Sequence, residues 1–314
     1  MVAGGRSTRS TIIQACEFYR PSMGWCLGPR MKNLRFYHTL TSFARNTKVL
    51  ATGSADHESQ PTAEIYDSAT NLWMSTSTNM SVGRFAHAAT LLNNGKILIM
   101  GGIDQSGAIT PTTEFYIPSS DSFVPTAQMN MGRILFTNTL LSDGFTVLIT
   151  GGADEYGMMA PTAELYGLDS WEVANTYMTQ PRAYHAAVLL SDGNVLVAGG
   201  GDGLLTSFLT AEIFNTTTRT FQRVGSMKYR RAVFTLTLLP SGKVLATGGI
   251  DWRTYTYPDT CELYDPLTQT WSDTHKLNIG RSFHRSLLLT DSVLTIGGYT
   301  KNNNRTETCE KYQF

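Results

Sequence analysis

The chain has 314 residues, 41% apolar and 16% charged, and equal numbers of acidic and basic side chains give a formal net charge of zero. Balanced charge removes the electrostatic reason to expect nucleic acid or an anionic membrane as partner, and no apolar run approaches the roughly 18 residues of a spanning helix. A low charge fraction with 28 glycines and many threonines and aromatics suits strands and tight turns, so the expected class is all-β.

Val2-Ala3-Gly4-Gly5 reads as the end of a strand already under way at Met1, and Cys16-Glu17-Phe18-Tyr19 and the segment around Trp25 read as two more. The start has neither the basic head nor the apolar run of a secretory leader, which favours a cytoplasmic location. Arg35 and His38 open the next strand, followed by KVLATGS at 48–54, Ala63-Glu64-Ile65-Tyr66 and Trp73. Residues 84–92, RFAHAATLL, alternate and then run apolar, as a buried strand does. Asn93-Asn94-Gly95 supplies hairpin chemistry, because Asn and Gly tolerate positive φ. KILIMGG at 96–102, Thr113-Glu114-Phe115-Tyr116 and a strand centred on Phe123 complete that unit.

The same order returns to the end of the chain. Glycine doublets or a near match stand at Gly4, Gly53, Gly101, Gly151, Gly199, Gly248 and Gly297, at intervals of 49, 48, 50, 48, 49 and 49 residues. A period near 49 signals a repeat architecture whose units bury their faces only against neighbours. The doublet strand and the Glu-x-Tyr strand each occur seven times; the Arg-led strand and the aromatic strand each occur six times. The 26 strands are two short of seven four-stranded units, and about 29 residues are missing from seven full periods. The favoured expectation is seven blades truncated at the N-terminus; six blades with two spare strands is the alternative.

The order R-x-x-H, VL-x-x-GG, AE-x-Y and then Trp resembles the kelch motif across essentially the whole chain. The resemblance implies a kelch β-propeller of four-stranded blades, the first strand of each lining a central channel. Ser54, Phe136 and Phe234 depart from the pattern at single positions. The resemblance also implies a protein-interaction module, a scaffold or adaptor, as the leading function. A galactose-oxidase-like copper enzyme and a carbohydrate or extracellular-ligand receptor are the alternatives.

The residues bear on that choice. Arg35, Arg84, Arg133, Arg182, Arg231 and Arg281 share one repeat position, and Glu17, Glu64, Glu114, Glu164, Glu212, Glu262 and Glu310 share another, so pairing within or between blades is expected where they are buried. The alternative role for the arginines is bidentate capture of acidic side chains, as in kelch adaptors that bind acidic peptides. His38, His87, His185 and His284 recur blade by blade and so do not converge as metal ligands do. Asp56, Asp104, Asp154, Asp202 and Asp251 follow the doublets as expected turn caps. Cys16, Cys261 and Cys309 replace a small residue; only Cys16 and Cys26 lie on adjacent strands where a disulfide could form. The copper centre of galactose-oxidase-type enzymes uses two tyrosines, two histidines and a cysteine linked to one tyrosine; Tyr37-His38 and Tyr184-His185 sit inside the repeat motif instead. No catalytic residue, metal or cofactor is therefore assigned.

The loops after the doublets vary most. Residues 155–159 (EYGMM), 203–209 (GLLTSFL) and 252–257 (WRTYTY) are apolar and aromatic, whereas 56–60 and 300–306 are polar. The expected partner surface is Trp252, Tyr255, Tyr257, Tyr156 and Leu205, with Arg231 and Arg182 at its inner rim. The expected partner is a protein or peptide, acidic if those arginines contribute, and the chain is expected to act as a monomer.

Overall fold

The computed structural model describes residues 1–7, 11–54, 61–203, 205–301 and 304–314. Among the described residues there is no α-helix, and seven successive antiparallel sheets follow the repeat. The second to sixth sheets have four strands each. The first has three (Val2–Ala3, Cys16–Arg20, Gly24–Leu27) and carries no Arg-led strand. The seventh also has three (Arg285–Leu288, Ser292–Ile296, Cys309–Gln313) and carries no outer aromatic strand. These are the two strand types in which the repeat count is short, and seven sheets replace the six-bladed alternative.

The fifth blade shows how a unit is built. Ala186–Leu189 pairs with Val195–Ala198, which pairs with Ala211–Asn215, which pairs with Thr220–Val224. Its second strand, VLVA, is buried throughout, as are Ile97–Met100, Val147–Thr150 and Val244–Thr247. A strand covered on both faces has no solvent side, so an unbroken apolar run replaces alternation. On the outer strand one aromatic meets the third strand's ring, as in Tyr264 and Trp271 at 5.0 Å or Phe214 and Phe221 at 5.0 Å. Such pairs add about 0.5–1.5 kcal/mol to area burial. Trp271 also donates its indole N–H to the Gly225 carbonyl, 2.9 Å away on the preceding blade.

Contacts divide the chain into two compact units. The first comprises Met1–Ile134, Asp143–Val147 and Tyr166–Glu172; the second comprises Leu135–Ser142, Leu148–Leu165 and Val173–Phe314. In the first unit Phe43, Leu50, Met80, Ile97 and Tyr116 fill the space between the second and third sheets. In the second unit Leu196, Ala198, Phe234, Val244 and Tyr264 do the same between the fifth and sixth. Each fully buried side chain of this kind contributes about 1.5–3 kcal/mol, and only an adjacent sheet can bury it. First strands of successive sheets contact one another within each unit.

All four cysteines are free. Cys26 stands opposite Phe18, not Cys16, so the pairing that strand adjacency allowed is not formed. Burial pushes the Cys16 and Cys261 thiols up to about 11, as expected for small core residues in an alanine position.

The doublet glycine is needed for space as well as for dihedral freedom. At Gly151, φ is +60°, and a Cβ would lie 2.3 Å from the Arg182 carbonyl oxygen and 2.7 Å from the His185 ring of the next blade. Gly95, in a hairpin turn, has φ +84° but nothing within 4 Å of that position. Gly95→Ala is therefore expected to cost about 1–2 kcal/mol, for the left-handed dihedral alone. Gly151→Ala adds a clash with backbone and is expected to cost about 3 kcal/mol or more. Urea unfolding of both variants checks the difference, and equal losses would show that the close approach does not matter.

Candidate functional site

The repeated charges are structural. Arg182 is fully buried; its guanidinium donates to Glu212 at 2.9 Å, to the Gly199 carbonyl at 2.7 Å and to Thr210. Arg231 is equally buried and donates to Glu262 at 3.1 Å, to the Gly248 carbonyl at 2.7 Å and to Thr260. Arg35 with Glu64, Arg84 with Glu114 and Arg281 with Glu310 repeat the arrangement, each pair inside one blade. The glutamates also accept backbone N–H groups from the segment leading into the blade: Thr179 to Glu212, Lys228 to Glu262, Ser81 to Glu114. Neither Arg182 nor Arg231 reaches the surface, so the expectation that they rim a binding surface is corrected. Their donors are already engaged with carboxylate, hydroxyl and carbonyl oxygens in the blade interior.

The motif histidines bridge blades. His185 Nε2 lies 2.8 Å from Thr150 Oγ1 and 3.1 Å from Thr137 Oγ1, both on the preceding blade. His87 meets Thr39 and Thr52 in the same way, and His284 meets Thr235 and Thr247. Burial, with a smaller contribution from Arg182, lowers the His185 pKa to about 3; burial and then Arg281 do the same to His284. The aspartates cap turns: Asp154 accepts the Tyr156 and Met158 N–H groups, Asp202 those of Leu205 and Thr206, and Asp251 that of Arg253. Asp104 does likewise for Ser106 and Ala108, whereas Asp56 lies outside the described residues.

Those capped turns present the variable side chains. In the second unit Tyr156 is 80% exposed, Met158 65%, Leu205 62% and Tyr255 67%. Trp252 is half-buried: its ring packs against Gly201, its backbone N–H donates to Ser207 Oγ, and it meets Tyr184 edge-on at 5.0 Å. Tyr257 is half-buried as well. Tyr184, Phe283 and Tyr299 extend the cluster by edge contacts of 6.5 and 5.5 Å. Sequence reasoning did not assign these three to the surface, although Tyr184 and Phe283 share a repeat position, the residue before the motif histidine.

That position has unusual backbone. Leu135, Tyr184, Val233 and Phe283 have φ of 58°, 56°, 54° and 54°. Side-chain-bearing residues rarely adopt this region, and for β-branched Val233 it is an outlier. The four are joined head to tail: Tyr184 N–H to Leu135 O at 3.1 Å, Val233 N–H to Tyr184 O at 2.8 Å, Phe283 N–H to Val233 O at 3.2 Å. They form a collar beside the aromatic cluster in the second unit.

Among the described residues the ligands of a copper centre of the galactose-oxidase kind are not brought together. The motif histidines are held against threonines between blades, and the cysteines sit singly on separate strands. Among the described residues no three His, Cys, Asp or Glu side chains come together.

Seven repeated sheets, five of them with a buried Arg–Glu pair (Arg35–Glu64, Arg84–Glu114, Arg182–Glu212, Arg231–Glu262 and Arg281–Glu310), have the architecture of kelch-type β-propeller repeats. The Kelch motif model matches residues 182–228 and 240–274. A kelch repeat and BTB domain-containing protein of Caenorhabditis elegans is 26% identical over 142 residues, 43% of this chain, and the match spans only 24% of that relative's length. Among solved structures, a fungal alcohol oxidase of the AA5 family in complex with copper superposes with a TM-score of 0.78 at 19% identity, covering 99% of this chain and 69% of the other. YjhT superposes with a TM-score of 0.68 at 14% identity, over 88% of this chain and 95% of that one. Both likenesses are of fold.

Two outcomes follow from the buried groups. Glu212→Ala leaves Arg182 buried without its counter-charge and is expected to cost about 3–5 kcal/mol in denaturant unfolding. Lys228→Ala, which breaks an exposed pair with Asp273, should stay within about 0.5 kcal/mol. The histidines set a pH dependence, because their folded pKa values lie below the unfolded value of 6.5. Below that pH the unfolded chain takes up protons that the folded chain refuses. Stability is therefore full above 6.5 and falls toward pH 3, by up to about 1.4 kcal/mol per pH unit for each such histidine. His185→Phe, the residue already present at Phe136 and Phe234, should flatten that slope by about one proton in urea melts across the range. An unchanged slope would mean that His185 is not held neutral.

Proposed function

We propose that this chain is a protein-interaction module that takes a protein or peptide partner on the post-doublet loops of its fourth, fifth and sixth blades. One observation carries the reading: Tyr156, Met158, Leu205 and Tyr255 project into solvent from turns whose backbone is pinned by Asp154, Asp202 and Asp251. Large apolar side chains on rigid turns bury area on binding with little ordering cost, and aromatic residues dominate binding hot spots. Half-buried Trp252, Tyr257 and Tyr184, with exposed Phe283 beside them, form the base of that surface. The Kelch motif match and the kelch and BTB relative support an interaction role. The two buried arginines are left out of the surface, and with them the argument that the partner is acidic.

The test is a pull-down from lysate of the source organism. Tyr156→Ala with Tyr255→Ala should leave stability within about 1 kcal/mol, because both side chains are exposed, while partner recovery falls at least tenfold. Leu267→Ala serves as control: Leu267 is 95% exposed, but in the turn between the third and fourth strands of the sixth blade. Undiminished recovery by the folded double variant, or an equal loss with Leu267→Ala, would overturn the assignment.

A further inference from the structure

Beneath the collar in the second unit lies a cavity of about 150 Å³, walled by Leu135, Tyr184, Val233 and Phe283 and bordered by Arg285. We propose that Arg285 and these four residues form a binding site for a small carboxylate carried on an apolar or aromatic body.

The repeat shows that Arg285 is out of place. The residue after the motif histidine position is Thr39, Ala88, Thr137, Ala186 and Thr235 in the other blades and arginine only here. The threonines complete the bridge to the next blade's histidine, a role a guanidinium cannot fill. Arg285 makes one long contact, 3.5 Å to the His284 carbonyl. Among the described residues no carboxylate pairs with it, in contrast to Arg182, Arg231 and Arg281, which each hold a glutamate. Unlike those buried arginines, Arg285 is exposed to solvent at the edge of the cavity, while the protein nearby holds its pKa below the ordinary arginine value. A guanidinium that reaches solvent at the edge of a cavity and holds no carboxylate has its donors open to an entering anion. The planar fork of a guanidinium matches a carboxylate through two parallel hydrogen bonds.

The cavity sets the rest of the ligand. The walls combine apolar and aromatic side chains, Phe136 and Phe234 among them, with the rings of His185 and His284, and no acidic side chain lines them. A volume of this size accommodates a single benzene-sized group. Of the wall residues, Leu135, Tyr184, Val233 and Phe283 are held at positive φ by the collar hydrogen bonds. Walls held this rigidly lose little entropy when a ligand enters. The site shares Tyr184 and Phe283 with the base of the loop surface proposed above, but none of that surface's projecting side chains Tyr156, Met158, Leu205 and Tyr255.

Benzoate is the probe. Calorimetric titration of the folded chain should give saturable, roughly millimolar binding, with methyl NMR shifts at Leu135 and Val233. Benzamide, the neutral analogue of equal shape, should bind at least tenfold more weakly. Arg285→Thr restores the residue of three other blades and should keep the melting temperature while weakening benzoate at least tenfold; Arg285→Lys should lie between. Tyr156→Ala with Tyr255→Ala should bind benzoate as the parent does, which separates this site from the loop surface. Equal affinity for benzoate and benzamide, undiminished binding by folded Arg285→Thr, or no saturable binding by the parent would each overturn the proposal. Excess benzoate should leave a captured protein partner in place; its release would assign the carboxylate to a partner side chain and overturn the small-molecule assignment.

Discussion

Each Arg-led strand makes one interaction on which the rest of the structure depends. The guanidinium of Arg182 reaches into its own blade to hold Glu212 and the Gly199 carbonyl, while its backbone carbonyl accepts the Gly152 N–H of the blade before. Arg231 with Gly200, and Arg281 with Gly249, do the same one blade further on. A single residue thus closes its own sheet and fastens it to its neighbour. The arrangement tolerates no side chain on the doublet, because the approaching carbonyl occupies the space a Cβ would need. Burying an arginine and a glutamate so completely is stable because each holds the other, and carbonyl, hydroxyl and backbone N–H groups take up further donors and acceptors.

Everything that varies hangs from this frame. The doublet ends the second strand, an aspartate caps the turn that follows, and the loop between is free to carry any side chain that does not disturb those bonds. Tyr156, Leu205 and Tyr255 are exposed for that reason, while Trp252 is drawn back onto Gly201 and Tyr184. The collar is the reverse case. Its residues stand two positions after the arginines and are joined head to tail at positive φ, so their backbone is fixed although their identities change from blade to blade. A frame this repetitive makes a single deviation informative, and Arg285 is the deviation.

Neutrality inside the blades follows the same logic. Histidine in the bridge position contributes a ring nitrogen to a pair of threonine hydroxyls and is kept uncharged by burial. Phenylalanine does the packing part of that work at Phe136 and Phe234 without the hydrogen bond. The bridge therefore needs a flat ring first and a polar atom second. The likeness to a copper-containing oxidase stops at the fold, since these histidines are turned to threonines and not toward a common point.

Much of the fold was legible in the residues because the repeat exposes it. The doublets in register, the alternation in RFAHAATLL and the single aromatic per outer strand announced seven sheets of short strands, and the count of strand types located the two three-stranded sheets. These are local signals: spacing, turn chemistry and apolar runs act over a few residues and need no knowledge of neighbours. The partition of the arginines was not legible. Arg182, Arg231 and Arg285 are the same residue in one dimension, and only packing separates two that close their blades from one that faces a cavity. Tyr184 and Phe283 escaped notice for the same reason, since nothing in their immediate sequence announces a left-handed backbone or a shared wall. The amino-acid sequence by itself determined the strands, their order and the pattern of buried charge. The tertiary structure decided which side chains meet, because burial, desolvation and the direction of a side chain are set by blades that lie about fifty residues apart in the chain and side by side in space.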